Sequence, residues 1–342
     1  MRTAVYYHNA DVRLEERPVP SIGPGEALVR VETSGICGSD VMEWYRRARA
    51  PLILGHEIAG SVVDVATGVE RLKVGTRVTA AHHVPCNSCR HCLRGHHTLC
   101  ATLHRTNFDP GGFAEYIRLL PIHIERGVFP LPDTVSFEEA VFVEPLACVL
   151  RGQQIARVRP ADTVLVIGSG IAGLLHIKLA LTTGAGRIAA VDVKESRLRF
   201  ARRVGAEVAI PAADDVPKAM RAANNGRLAD VVILCTGAGP AFVQALRSVE
   251  PGGTILLFAP AAPDFTLQVP VNDVFWRTDV TITTSYGASP GDYAAALELI
   301  HLKRVPVLDM ITHRLGLSEA AEGFGLVAAA GESVKVVLDH RR

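Results

Sequence analysis

The rhythm of hydrophobic and polar residues changes once along the chain. From Met1 to about Leu120 the apolar residues come in short runs, among them Ala27–Glu32, Ile58–Val65 and Arg77–Ala81, broken by Gly-Pro-Gly at 23–25 and by Gly68 and Gly75. Short runs with regular glycine punctuation predict the strands of a small barrel-like domain. From about Pro160 the runs alternate in character. Thr163–Ile167, Ile188–Val193, Val231–Cys235 and Thr254–Phe258 read as strands, and Ile171–Thr183, Ser196–Val204 and Pro240–Ser248 as helices. Strands that are apolar throughout, separated by helices, predict a parallel sheet covered on both faces. After Thr281–Tyr286, Asp292–Leu302 reads as a helix and Ser333–Leu338 as a strand that can return to the first domain.

Composition adjusts this picture only at the margins. A chain of 342 residues, 48% hydrophobic and 21% charged, accommodates two globular cores and does not resemble a disordered one. A net charge of +1 gives no electrostatic case for nucleic acid or an anionic membrane. No apolar run reaches the length of a membrane span, and Met1 to Asn9 reads as a strand rather than a cleavable leader, so the expected location is cytoplasmic.

The seven cysteines are unevenly spread. Cys86, Cys89, Cys92 and Cys100 fall within fifteen residues, a spacing that in a reducing compartment points to metal rather than crosslinks. Four thiolates close a tetrahedral zinc shell and leave no place for substrate, which makes such a site structural. An iron–sulfur cluster also uses C-x2-C-x2-C, but the final spacing of seven and the lack of a following proline disfavour it. No basic helix follows to support a nucleic-acid zinc module. A second, dispersed group is Cys37, His56, Glu57 and Glu144, the first three on glycine turns. One thiolate, one imidazole and a carboxylate would hold zinc and leave room for water or an alcohol oxygen. Cys148 and Cys235 lie in apolar stretches and read as buried thiols.

Gly168-Ser-Gly170-Ile171-Ala172-Gly173 follows a predicted strand and opens a predicted helix. Gly168 permits the turn, Gly170 lets backbone approach a pyrophosphate, and Gly173 lets helix and strand pack closely, with the helix N-terminus facing the anion. Asp192 ends the next strand about 20 residues on, where the ribose-binding acid is expected. Its carboxylate would repel a 2′-phosphate, so NAD is expected and NADP is less favoured. Arg197 reads either as an adenosine contact or as a solvated residue of a first helical turn. Cys235 and Thr236, at the end of a later strand, are also assigned to the cofactor site.

Taken together, Cys37-Gly-Ser-Asp40, Gly55-His-Glu-x2-Gly60-x5-Ala66-x2-Val69, the four-cysteine lobe, Gly111-Gly-Phe-Ala-Glu-Tyr116, Glu144-Pro145-Leu146 and the glycine turn with Asp192 resemble the zinc-containing medium-chain dehydrogenases, the superfamily of alcohol, sorbitol and threonine dehydrogenases. The resemblance spans nearly the whole chain. It implies an α/β fold with a GroES-like, β-rich catalytic domain over 1–150, completed by 287–342, and a Rossmann NAD-binding domain over 151–286. It implies a catalytic zinc at Cys37, His56 and Glu144, with Glu57 in or just behind the shell, and a structural zinc on the four cysteines. Glu144, where alcohol dehydrogenases of the older type have cysteine, places the chain with the polyol and threonine branch, which is commonly tetrameric; a homo-oligomer, tetramer or dimer, follows. Lys335 matches a position near the cofactor pyrophosphate.

The chain departs from the pattern at Met42, where many relatives carry a proton-relaying histidine, and at Glu43, where sorbitol enzymes have a substrate-contacting tyrosine. Their substrate arginine is likewise not evident in Thr284-Ser285-Tyr286-Gly287. The expected activity is hydride transfer between a secondary alcohol or polyol, or its ketone, and NAD, with Ser39 accepting the alcohol proton. Arg46-Arg47-Ala48-Arg49 reads as a solvated face or subunit contact, with recognition of an anionic substrate as the sharper alternative. Two rival classes are a metal-free quinone or enoyl reductase, which needs neither metal constellation, and a non-enzymatic NAD-binding regulatory protein.

Overall fold

The computed structural model describes residues 1–269 and 271–342. The chain forms two compact units, Met1–Ala147 with Ala288–Arg342, and Cys148–Gly287.

The first unit is built on a seven-stranded sheet ordered Ile311–Gly316, Lys335–Asp339, Ala27–Ile36, Glu57–Val65, Arg77–Ala80, Val128–Pro130, with Tyr116–Leu119 also paired to Ala27–Ile36. In Ala27–Ile36 burial first alternates, with Val29 and Val31 inward and Arg30 outward, and then covers both faces from Val31 to Ile36. That doubly covered end sets up the site. Gly35 stands opposite Glu57 on one antiparallel neighbour, and Ile36 stands opposite Val336 on the other. The C-terminal strand therefore occupies an interior place in a sheet begun near the N-terminus. A second sheet joins Asp11–Glu16, Arg2–His8 and Leu52–Ile53.

The second unit carries six parallel strands in the order Val208–Pro211, Arg187–Asp192, Thr163–Ile167, Ala229–Leu234, Val249–Leu257, Thr281–Thr284. All five residues of Thr163–Ile167 are buried, as a central strand covered on both faces requires. The expected α/β class is therefore what the chain adopts. The apolar pattern did not announce the short strand Val208–Pro211, the helix Val216–Ala223, or the helix Val143–Ala156, inside which the division between the units falls. Cys148 and Cys235, expected to be buried, are both half-buried. The strand thought to include Cys235 ends at Leu234, so that thiol lies on the exit loop. No helix among the described residues is long and apolar enough to cross a membrane.

One buried titratable group sits in the second unit's packing. Gln153 Nε2 lies 2.8 Å from the His176 carbonyl oxygen and 3.3 Å from His176 Nδ1, and Phe258 meets the imidazole edge-on at 4.6 Å. Burial lowers the His176 pKa to about 3. The unfolded chain, with a histidine near 6.5, then binds more protons than the folded one between pH 6.5 and about 3. Stability should fall as pH drops through that window, by up to about 1.4 kcal/mol per pH unit from this residue. Urea midpoints measured from pH 7 to 4 should show a shallower acid limb in His176→Leu; identical limbs would contradict the assignment.

Candidate metal centres and cofactor turn

Three strand ends converge to make the dispersed cluster. Cys37 directly follows Ala27–Ile36, Glu57 opens Glu57–Val65, and Lys335 opens the C-terminal strand. Cys37, His56 and Glu57 each offer a ligand atom, and these atoms lie within 4.8 Å of one another. Glu144 is buried in the first turn of Val143–Ala156 and is not among the donors so grouped. Glu57 is held from behind, because the ammonium of Lys335 donates to its Oε2 and both side chains are 1% exposed. Lys335, the residue expected near the cofactor pyrophosphate, is thus turned inward to a carboxylate. Gly35 makes that arrangement possible. A Cβ there would stand 2.2 Å from Glu57 Oε2 and 2.7 Å from Lys335 Cε.

The turn Cys37–Asp40 orients the remaining groups. Asp40, wholly buried, accepts the Cys37 backbone N–H at 3.0 Å and lies 3.3 Å from His56 Nδ1. A proton on Nδ1, facing Asp40, would leave Nε2 as the nitrogen able to ligate. Burial opposes charge on His56, yet Asp40 and Cys37 raise its pKa well above the ordinary value. Burial also opposes ionisation of Asp40, but His56 and Arg46 hold its carboxyl below the ordinary value. The sulfur, nitrogen and oxygen donors of Cys37, His56 and Glu57 suit zinc. The Ser39 backbone N–H points at Cys37 Sγ at 3.4 Å. Arg46 donates from Nε to the Ser39 carbonyl oxygen at 2.9 Å and from Nη2 to its Oγ at 3.3 Å. In the run read as a solvated face or subunit contact, Arg46 ends a helical turn, Glu43–Arg46, and is half-buried, whereas Arg47 to Arg49 face solvent.

Sequence reasoning gave no role to Asp40, His82 or His83. Asp40 had a visible signal, three residues after the ligand cysteine in the spacing of a side-chain turn. The histidines had only their adjacency. Burial pushes His82 well below the ordinary imidazole pKa and His83 down to about 4.

The four-cysteine lobe is compact. Cys86, Cys89, Cys92 and Cys100 have their sulfurs within 4.8 Å of one another, with Cys89–Cys92 and Cys86–Cys100 both at 3.6 Å and all four free of disulfides. Sulfurs about 2.3 Å from a central zinc in a tetrahedron stand about 3.8 Å apart. The backbone and side chain of Ser88 lead in pulling the Cys86 thiol down to about 5, whereas burial and neighbouring thiols push Cys92 up to about 12. Four thiols this close cannot all ionise without a cation among them, and a zinc ion fits the donor set.

In the second unit, Gly168 (φ +96°) turns the chain out of Thr163–Ile167, and Gly170 precedes the first turn of Ile171–Thr182, which begins with Ile171 and Ala172. No side chain caps that helix, so its first N–H groups stay open to an anion. A Cβ on Gly173 would lie 2.0 Å from the Gly168 carbonyl oxygen. A Cβ on Gly168 would lie 3.1 Å from the Cys235 carbonyl oxygen and 3.3 Å from Thr236 Cβ, which puts both residues beside the turn. Asp192 accepts the Ser169 N–H at 2.8 Å and the Lys194 N–H at 2.9 Å. Arg197 is buried, with Nη1 lacking a partner, and burial lowers its pKa against the pull of Asp192; it is not a solvated residue. An uncapped helix start, a backbone cradle and a carboxylate at the next strand end suit a dinucleotide.

Residues 23–133 match the family model described as alcohol dehydrogenase GroES-like domain, and 172–301 the one described as zinc-binding dehydrogenase. Sorbitol dehydrogenase of Gallus gallus is 32% identical over 98% of this chain and 95% of its own. D-xylulose reductase A of Aspergillus oryzae is 30% identical over 96% of this chain and 93% of its own. The solved structure of 2R,3R-butanediol dehydrogenase from Bacillus subtilis superposes with a TM-score of 0.86 at 26% identity, covering 99% of both chains.

The crowding at Gly35 is directly testable. Gly35→Ala should lower the thermal midpoint by the equivalent of about 1–3 kcal/mol, the usual cost of forcing a methyl into filled space. Gly38→Ala, whose Cβ would meet nothing within 4 Å, should change it little. Equal midpoints for the two variants would refute the close approach.

Proposed function

Because the chain belongs to the zinc-containing medium-chain alcohol dehydrogenases, in their sorbitol-dehydrogenase-like branch, we propose that it oxidises a secondary hydroxyl of a polyol or related alcohol, and reduces the matching ketone, with NAD as partner. The observation that carries this is the convergence of Cys37, His56 and Glu57 within 4.8 Å in a chain that also builds the glycine turn with Asp192. A metal-free reductase would need neither this trio nor the cysteine lobe, and a purely regulatory protein would need no donor set arranged around a buried Asp40.

Cys37 and His56 would hold the catalytic zinc. Glu57 would stand behind it under the control of Lys335, and Glu144 would serve as a further carboxylate from its own helix. Cys86, Cys89, Cys92 and Cys100 would hold the structural ion. Bound zinc supplies a Lewis acid for the alcohol or ketone oxygen, and bound NAD supplies the hydride acceptor. The protein's own groups do the rest. Asp40 keeps His56 in the tautomer that presents Nε2. Ser39 Oγ would accept the proton leaving the alcohol while passing its own to the nicotinamide ribose or to water, and Arg46, donating to the same oxygen, would fix that hydroxyl in place. Asp192 accepts the ribose hydroxyls and disfavours a 2′-phosphate, while Gly168, Gly170, Ile171, Ala172 and Gly173 offer backbone to the pyrophosphate. Arg197, Cys235 and Thr236 line the same site. The reading extends to a homo-oligomer, dimer or tetramer, in the cytoplasm, on the habit of the polyol branch.

Metal-replete protein should generate NADH from at least one member of a panel of secondary alcohols, diols and polyols. Chelation should abolish the signal and added zinc restore it; no turnover across the panel, or turnover indifferent to chelation, would defeat the proposal. Asp192→Ala should narrow the preference for NAD over NADP by at least about 10-fold in kcat/KM, in line with a lost charge contact of about 1.4 kcal/mol or more.

A further inference from the structure

Two histidines that the metal donors do not use border the cluster. The strand Arg77–Ala80 ends in a bend that turns consecutive side chains to one side, so the His82 and His83 rings lie 3.9 Å apart at 37°. His82 stands 4.9 Å, ring to ring, from His56. Its backbone is fixed, with the His82 carbonyl oxygen 3.2 Å from His123 Nε2, and Phe108 meets its ring edge-on at 6.2 Å.

Hydrogen bonding settles what each ring presents. His83 Nδ1 lies 2.7 Å from the Thr106 carbonyl oxygen, so Nδ1 carries the proton and Nε2 is an acceptor. His82 Nδ1 is enclosed with no partner. An enclosed N–H without an acceptor costs more than an enclosed lone pair, so the His82 proton belongs on Nε2, the nitrogen that is not enclosed. The pair therefore offers a donor at His82 and an acceptor at His83, side by side. An alcohol hydroxyl accepts one hydrogen bond and donates another, and it matches both.

Exposure shows which way the pair faces. Asp40, Glu57 and Lys335 are at most 1% exposed and close the back of the cluster, whereas Cys37, His56, His82 and His83 are all half-buried. The side from which substrate must arrive is the side the two imidazoles border.

We infer that His82 and His83 determine specificity by binding the hydroxyl adjacent to the reacting carbinol, His82 Nε2–H donating to its oxygen and His83 Nε2 accepting its proton, so that the enzyme selects vicinal diols over simple secondary alcohols. This rests on the dehydrogenase reading above and names the side chains that read the substrate's second oxygen. A site built to hydrogen-bond a hydroxyl rejects analogues lacking it by far more than a merely apolar wall does.

The test compares 2,3-butanediol, 3-methoxy-2-butanol and 2-butanol on the zinc-loaded enzyme. In the unaltered protein kcat/KM should favour the diol over 2-butanol by at least about 100-fold, with the methyl ether in between because it satisfies only His82. His82→Phe should shrink the ratio below about 10-fold through loss on the diol, with 2-butanol within about 3-fold of its starting value. His82→Gln, which keeps a donor, should restore part of the preference. Zinc content should be unchanged in both variants. A readout independent of turnover is carbethoxylation of His83, whose Nε2 carries the open lone pair, followed by peptide mass, which the diol should slow and 2-butanol should not. Equal kcat/KM for diol and 2-butanol, or equal loss on both in His82→Phe with zinc intact, overturns the inference while leaving the dehydrogenase reading standing. Failure to oxidise any of the three, or any other secondary alcohol, would instead bring down the reading on which it rests.

Discussion

The buried ion pair of Glu57 and Lys335 is the constraint around which the first unit's chemistry is arranged. Two opposite charges at 1% exposure carry a desolvation cost that only close contact offsets, and removing either partner from such a pair costs about 3–5 kcal/mol. The pair sits where three strands end, and it requires a missing side chain at Gly35. Lys335 also lies 3.4 Å from the Ile36 carbonyl oxygen, one residue before Cys37, so one ammonium ties the ligand-bearing strand to the carboxylate behind the cluster. The position of Cys37, and through Asp40 that of His56, depends on this knot.

What could be read from the sequence alone divides along a physical line. The cysteine lobe and the glycine turn are local: their ligands or glycines fall within a few residues of one another, so spacing encodes geometry. The dispersed cluster was legible only because several short motifs coincided with a family pattern. The Glu57–Lys335 contact bridges 278 residues and left no trace in spacing. Arg46 was misjudged because a run of arginines on an expected loop looks solvated, whereas a helical turn over Glu43–Arg46 directs one guanidinium inward to Ser39 and leaves Arg47 and Arg49 outside. Lys335 was legible only as a family position near the cofactor pyrophosphate; that its strand is interior and its ammonium meets Glu57 follows from the sheet order alone.

The strand and helix pattern succeeded where periodicity was strong and failed where elements were short. Thr163–Ile167 and Ile171–Thr182 were legible because a fully apolar run and a glycine turn leave few alternatives. Val208–Pro211 has four residues, two of them only half-buried, and carries no alternation by which to recognise it. Val143–Ala156 was missed because its apolar residues do not fall on one face and two of its polar ones, Glu144 and Gln153, are buried rather than displayed.

The interior place of Lys335–Asp339, between Ile311–Gly316 and Ala27–Ile36, orders events during synthesis. A ribosome delivers Cys37, Asp40, His56 and Glu57 early and the lysine that neutralises Glu57 nearly 300 residues later. Until that segment emerges, the first unit has an unfilled slot in its sheet and an unbalanced carboxylate beside the donors, while the Cys148–Gly287 unit already has its full sequence. The residues that build the second unit are thus all present along the nascent chain before the strand that brings Lys335 to Glu57.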